Sequence, residues 1–131
     1  MAERKIILMI DDDPMVLQVL TTLITSEYEL RIANSAAQAT TLLNLFKPDL
    51  ILLDIEMPGI SGFEFLHTIK KNRKLMSIPV VIVSVHNEPE FIAHAERLGA
   101  NCMVAKPIDK DDLFGKIKFA LENPKNNFWK I

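Results

Sequence analysis

The apolar positions of this chain fall into two alternating patterns. Ile6 to Ile10 is an unbroken apolar run, the mark of a strand covered on both faces. It stops at Asp11-Asp12-Asp13-Pro14. Asp13 can cap a helix that starts at Pro14, because that proline's missing N–H would have had no partner in any case. Val16, Leu17, Leu20, Leu23 and Ile24 then recur at helical spacing. Tyr28, Leu30 and Ile32 alternate with Glu29 and Arg31, which predicts a half-exposed strand at a sheet edge. Ser35-Ala36-Ala37-Gln38 has the form of a capping box, and Ala36, Ala39, Leu43 and Phe46 make one helical face that Pro48 closes. Leu50 to Leu53 is a second buried strand, ending at Asp54. Met57-Pro58-Gly59-Ile60-Ser61-Gly62 is turn chemistry, with Gly59 and Gly62 free to take positive φ.

A helix carrying Phe63, Leu66 and Ile69 follows and runs out in Lys70, Lys71, Arg73 and Lys74. Cations suit the negative end of a helix dipole, so this basic run is expected to be a solvated helix end, not a binding patch. Pro79 opens Val80 to Val83, then Ser84. Glu88, Pro89 and Glu90 suit a helix N-terminus, and Gly99 stops that helix. Cys102 to Ala105 is a short last strand before Lys106-Pro107, and Asp109 caps a final helix with Leu113, Ile117, Ala120 and Leu121. Five strands alternating with five helices force parallel strands, because each helix must carry the chain back across the sheet. The expected fold is a doubly wound, three-layer α/β domain with right-handed crossovers.

Composition narrows the function classes. At 131 residues, 49% hydrophobic and 24% charged, the chain is one ordinary domain with enough length for a real core. The formal net charge of −2 argues against sequence-general nucleic-acid binding. No apolar run is long enough to span a bilayer, and Asp11 interrupts what would otherwise follow the basic N-terminus as a signal segment. The single cysteine, Cys102, fits a reducing compartment, so a cytoplasmic location is expected.

In open parallel sheets, ligands sit beyond the carboxyl ends of the strands. Here those ends deliver Asp11 and Asp12, Asp54, Ser84 and Lys106, each directly after an apolar run. Three carboxylates packed together need relief, since two unit charges 4 Å apart repel by about 4 kcal/mol at an effective dielectric of 20. The relief is a raised pKa or a bound cation. An all-oxygen set favours Mg²⁺, with Mn²⁺ or Ca²⁺ as alternatives, over zinc. A hydroxyl and a lysine beside such a metal complete a site for a phosphoryl group. Asp54, alone on the central strand, suits the nucleophile, while the paired Asp11 and Asp12 suit the metal.

Ile10-Asp11-Asp12-Asp13-Pro14, Leu52-Leu53-Asp54-Ile55-Glu56-Met57-Pro58-Gly59-Ile60-Ser61-Gly62, Val83-Ser84 and Ala105-Lys106-Pro107 resemble the receiver domain of two-component response regulators. The resemblance covers about residues 4 to 122, leaving 123–131 as a tail or the start of a linker. It implies a flavodoxin-like strand order 2-1-3-4-5. It also implies that Asp54 takes phosphate from the phosphohistidine of a histidine kinase or phosphotransfer protein. Asp12 would bind Mg²⁺ directly, Asp11 mainly through water, and Glu56 through its backbone carbonyl. Ser84 and Lys106 would contact the phosphoryl group, and Lys106-Pro107 matches a bond that is often cis. Phosphorylation would pull Ser84 inward and re-set the face made by the fourth helix, fifth strand and fifth helix, which is also the expected homodimer surface. Lys110, Asp111, Asp112, Lys116 and Lys118 give that region mixed charge. The output is not legible: the chain is either a stand-alone receiver or a fragment of a longer regulator.

Three positions depart from the family pattern. Met103 stands where an aromatic switch residue is usual, and methionine is flexible. Val85 replaces the usual Ala or Gly after Ser84. Glu56 puts an anion two residues after the phosphoacceptor. His67, His86 and His94 show no ligand spacing and read as surface or partly buried residues. Cys102 reads as a buried strand residue, and Phe128 and Trp129 as apolar residues in a polar tail. Two other function classes compete. One is a Mg²⁺-dependent phosphatase with an aspartate nucleophile, whose acidic pair should follow the nucleophile, whereas Asp11 and Asp12 precede Asp54. The other is a degenerate receiver serving as an interaction module.

Overall fold

The computed structural model describes residues 3–56 and 61–126. The elements in chain order are β1 (Ile6–Ile10), α1 (Pro14–Ile24), β2 (Glu29–Ala33), α2 (Ala36–Leu43), β3 (Leu50–Asp54), α3 (Gly62–Lys71), β4 (Val80–Ser84), α4 (Pro89–Arg97), β5 (Cys102–Ala105) and α5 (Lys110–Glu122). All strands are parallel, in the order β2-β1-β3-β4-β5. Successive side chains of a strand face opposite ways, so the inner strands feed two separate cores. Leu8, Ile10, Ile51, Leu53, Val80 and Ile82 pack with Ala36, Ala39, Phe65, Leu66, Ile69 and Ala95 of α2, α3 and α4. Ile7, Met9, Leu50, Leu52, Val81, Val83, Cys102 and Val104 pack with α1 and α5 through Leu20, Ile24, Leu113, Ile117 and Ala120. The three layers are therefore those expected from the continuous apolar runs.

The caps follow the sequence. Asp13 accepts the Met15 N–H at 2.9 Å, and Asp109 accepts that of Asp111. Ser35 Oγ takes the Gln38 N–H, and Gln38 Oε1 reaches back one residue further than a capping box, to the Asn34 N–H. Gly99, at φ +103°, ends α4 by letting its own N–H reach Glu96 O while the Ala100 N–H reaches Ala95 O, a Schellman closure.

The structure corrects four local expectations. The edge strand is β2, but it starts one residue later than Tyr28, and Ile32 is exposed. The second helix ends at Leu43, not beside Pro48; Asn44 caps it, and Phe46 reaches the core from the turn that follows. Gly62 does not use positive φ. Its lack of a side chain is what matters, since a Cβ there would lie 2.4 Å from Ile55 Cα and 2.9 Å from Asp54 O. Lys70 is not a solvated helix end: its half-buried amine donates to Met76 O and Ile78 O at 3.2 and 2.8 Å, and burial lowers its pKa to about 8. The sequence readings at Met57, Pro58, Gly59, Ile60, Phe128 and Trp129 lie outside the described residues.

Candidate functional site

Register explains why five scattered side chains meet. Ile10 pairs with Leu53, Asp54 with Val83, and Ser84 with Ala105. The residues at or just past those ends are Asp11, Asp54, Ser84 and Lys106, so in-register parallel strands carry them to one rim. Asp12 follows Asp11, and α3 starts close enough for the Gly62 N–H to bond Ile55 O at 3.0 Å.

The site is a buried acidic cluster with one amine. Asp11 and Asp54 are 1% and 6% exposed and Ser84 is 3% exposed, while Asp12 stands in solvent. One carboxylate oxygen from each of Asp11, Asp12 and Asp54 lies within 4.8 Å of the others. Lys106 Nζ sits 3.5 Å from Asp11 Oδ2 and 3.8 Å from Asp54 Oδ1. Backbone groups hold the carboxylates: the Asp13 N–H donates to Asp11 Oδ1 at 2.9 Å and the Glu56 N–H to Asp54 Oδ1 at 3.1 Å. The Ser84 hydroxyl oxygen accepts the His86 N–H at 3.0 Å. The Lys106-Pro107 bond is cis.

Asp54 is strongly perturbed. Burial and then the neighbouring Asp11 push its carboxyl up from 3.8 to about 7, against the opposing pull of Lys106 and the Glu56 N–H. A carboxyl group held that far up is one whose charge lacks full compensation. A hard divalent cation taken up by these oxygens would supply what Lys106 alone does not, so the donor set fits a Mg²⁺-type ion.

The departures noted in the sequence have definite places. Met103 is half-buried and packs against the α2–α3–α4 core. Val85 is 61% exposed. Glu56 turns its side chain outward and meets His86 Nε2, while His86 Nδ1 faces Glu88 Oε1 at 3.3 Å. This Glu56–His86–Glu88 bridge escaped the reading of the histidines as scattered. Glu56 and His86 each lie two residues past strand ends that the structure pairs side by side. His94 instead packs against Phe63 in a T-shaped ring pair, with centroids 4.5 Å apart. Cys102 is a buried strand residue, as expected, and burial pushes its thiol up to about 12. Beside Lys106, an open hollow of about 310 Å³ is bordered by Met15, Val16, Val19, Pro107 and Ile108. No helix among the described residues is long and apolar enough to cross a membrane.

The chain matches the response regulator receiver domain family over residues 7–118. It is 30% identical to protein PilH of Pseudomonas aeruginosa, over 88% of this chain and 96% of that one. It is 36% identical to the transcriptional regulatory protein GlrR of Escherichia coli, over 88% of this chain but only 26% of the relative. Among solved structures, the receiver domain of NtrX from Brucella abortus superposes with TM-score 0.82 at 32% identity, covering 89% of this chain and 98% of that one. The chemotaxis response regulator CheY4 of Vibrio cholerae shares the fold, with TM-score 0.83 at 21% identity over 88% and 98% of the two chains. With strand order, rim geometry and family match in agreement, the chain belongs to the receiver domains of two-component response regulators.

Proposed function

We propose that this receiver accepts a phosphoryl group on Asp54 and changes conformation to control a partner or output domain. The observation that carries the reading is the position of Lys106 Nζ, within 4 Å of both Asp11 and Asp54, on a rim where an acidic cluster also fits a divalent cation. In the transfer, an Asp54 carboxylate oxygen forms a bond to phosphorus as the donor's P–N bond breaks, and the leaving imidazole keeps the electron pair and takes up a proton. Lys106 offsets the charge of the phosphoryl oxygens. The Ser84 hydroxyl, which now accepts from the His86 backbone, retains its own proton to donate to one of them. Asp11, Asp12, Asp54 and the Glu56 backbone carbonyl would hold Mg²⁺, which when bound neutralises phosphoryl charge.

The donor in this reading is a histidine kinase or histidine phosphotransfer protein in the cytoplasm. The exposed Met15 and Val19 beside Lys106 offer it an apolar footing next to Asp54. The domain spans residues 4–122, with 123–131 as a tail or the start of a linker, and Ser84 and Met103 are the switch residues. The protein assists its own phosphorylation and dephosphorylation and turns over no separate substrate. Incubation with Mg²⁺ and acetyl phosphate should add the mass of one phosphoryl group, lost in alkali and absent in Asp54→Ala. An unchanged mass would count against the reading.

A further inference from the structure

The chain does not leave the domain freely after α5. The Asn126 N–H bonds Asn123 O at 3.0 Å, closing a turn that Asn101 holds at the amino end of the sheet. That side chain, 4% exposed, donates to the carbonyls of Pro124 and Asn126 at 3.0 and 2.8 Å and accepts the Val80 N–H at 2.9 Å. Both amide N–H groups of a buried asparagine are thus spent on the segment after α5, and both lose their partners if it swings away. Asn101 precedes β5 and Val80 opens β4, so this anchor lies at the end of the sheet opposite Asp54.

The anchor is also one wall of a hollow. Pro124 lines it together with Pro48, Ile78, Pro79 and Leu121, with Lys47 at its border, and its volume is about 200 Å³. The described residues stop at Asn126. The next apolar residues of this polar stretch are Phe128 and Trp129, two and three residues on. An extended residue spans at most about 3.6 Å, so both are within roughly 11 Å of chain from the anchor. We propose that this hollow is the docking site of the chain's own Phe128-Trp129 segment, with the Trp129 indole filling it beside the Lys47 amine. A large aromatic ring suits a small apolar site with a cation at its rim. Closing so short a loop costs little. So short a tether also gives the segment an effective concentration on the order of millimolar, which favours it over a second copy of the chain. Docked there, the tail is a strap across the face opposite the acidic rim, whether or not Asp54 accepts phosphate.

Trp129 is the chain's one tryptophan, so its fluorescence reports on the hollow directly. In the full chain its emission should lie to the blue of that of a synthetic peptide of residues 123–131. Acrylamide should quench it several-fold less than in the peptide, and neither property should change with protein concentration. Nuclear Overhauser contacts should join the indole to the methyl groups of Ile78 and Leu121. Asn126→Pro removes the N–H that closes the turn, at an exposed position. It should move emission and quenching to the peptide's values and abolish those contacts, while circular dichroism and amide exchange in the inner strands stay as in the parent. Asn101→Ala should release the indole in the same way. A parent Trp129 quenched as readily as in the peptide overturns the proposal, and so does a buried indole without contacts to Ile78 or Leu121. Burial that grows with protein concentration makes a second copy the occupant and overturns it too, as does an indole that stays docked in Asn126→Pro.

Discussion

The acidic rim makes a direct prediction for stability without metal. Asp54 is 6% exposed, and burial together with Asp11 raises its carboxyl from 3.8 to about 7. A raised folded value means that the folded protein holds the proton more tightly than the unfolded chain. The favourable linkage is present below the unfolded value and is lost as pH rises through the folded one. At pH 8 the group is charged in both states, and the fold bears the whole penalty. The interval from 3.8 to about 7, at about 1.4 kcal/mol per pH unit, corresponds to on the order of 4 kcal/mol. Asp54→Asn keeps the shape and an acceptor for the Glu56 N–H but removes the charge. In a chelator, its stability advantage over the parent should therefore grow by roughly 3 kcal/mol between pH 5 and pH 8, a rise in melting temperature of about 10 °C at the higher pH. Urea denaturation at both pH values measures it. Adding Mg²⁺ should stabilise the parent through binding to the folded state and close most of the gap. A variant no more stable than the parent at pH 8 in chelator would refute the claim that uncompensated charge on Asp54 strains this rim.

Replacing Lys106 by Met removes the main pull that lowers Asp54. The Asp54 carboxyl should then titrate at still higher pH by carbon NMR, and phosphorylation by acetyl phosphate should slow on the order of a hundredfold. Gly62→Ala puts a methyl group 2.4 Å from Ile55 Cα. It should destabilise the domain by about 3 kcal/mol or more in urea titrations. Asn101 is buried, accepts the Val80 N–H at 2.9 Å and donates to the carbonyls of Pro124 and Asn126. Asn101→Ala leaves the Val80 N–H unpaired and should cost about 1–3 kcal/mol, with faster amide exchange at Val80 as the local readout.

The layers and strands were legible because both faces of the inner sheet are covered. That makes runs such as Ile6–Ile10 and Leu50–Leu53 continuous and easy to delimit. The site was legible for the same reason, since each polar residue interrupts an apolar run at the rim. What the sequence hid depended on contacts between distant segments. Lys70 reads as one of a solvated basic run until the turn before β4 offers it two carbonyls. Gly62 reads as a turn glycine until α3 is brought against the end of β3. His86 reads as solitary because its partner Glu56 is thirty residues away in the chain, and only the pairing of β3 with β4 makes them neighbours. The short α2 illustrates competition at a boundary: Phe46 keeps helical spacing, but the chain turns before it reaches Pro48.

The central claim is that Asp54, and no other carboxylate of the rim, carries the phosphoryl group. Borohydride reduces an acyl phosphate to an alcohol, so trapping the protein after incubation with Mg²⁺ and acetyl phosphate marks the acceptor. Peptide mass spectrometry should find homoserine at position 54, with Asp11 and Asp12 unchanged and no product when Mg²⁺ is withheld. Reduction at Asp11 or Asp12, or at no residue, would contradict the account.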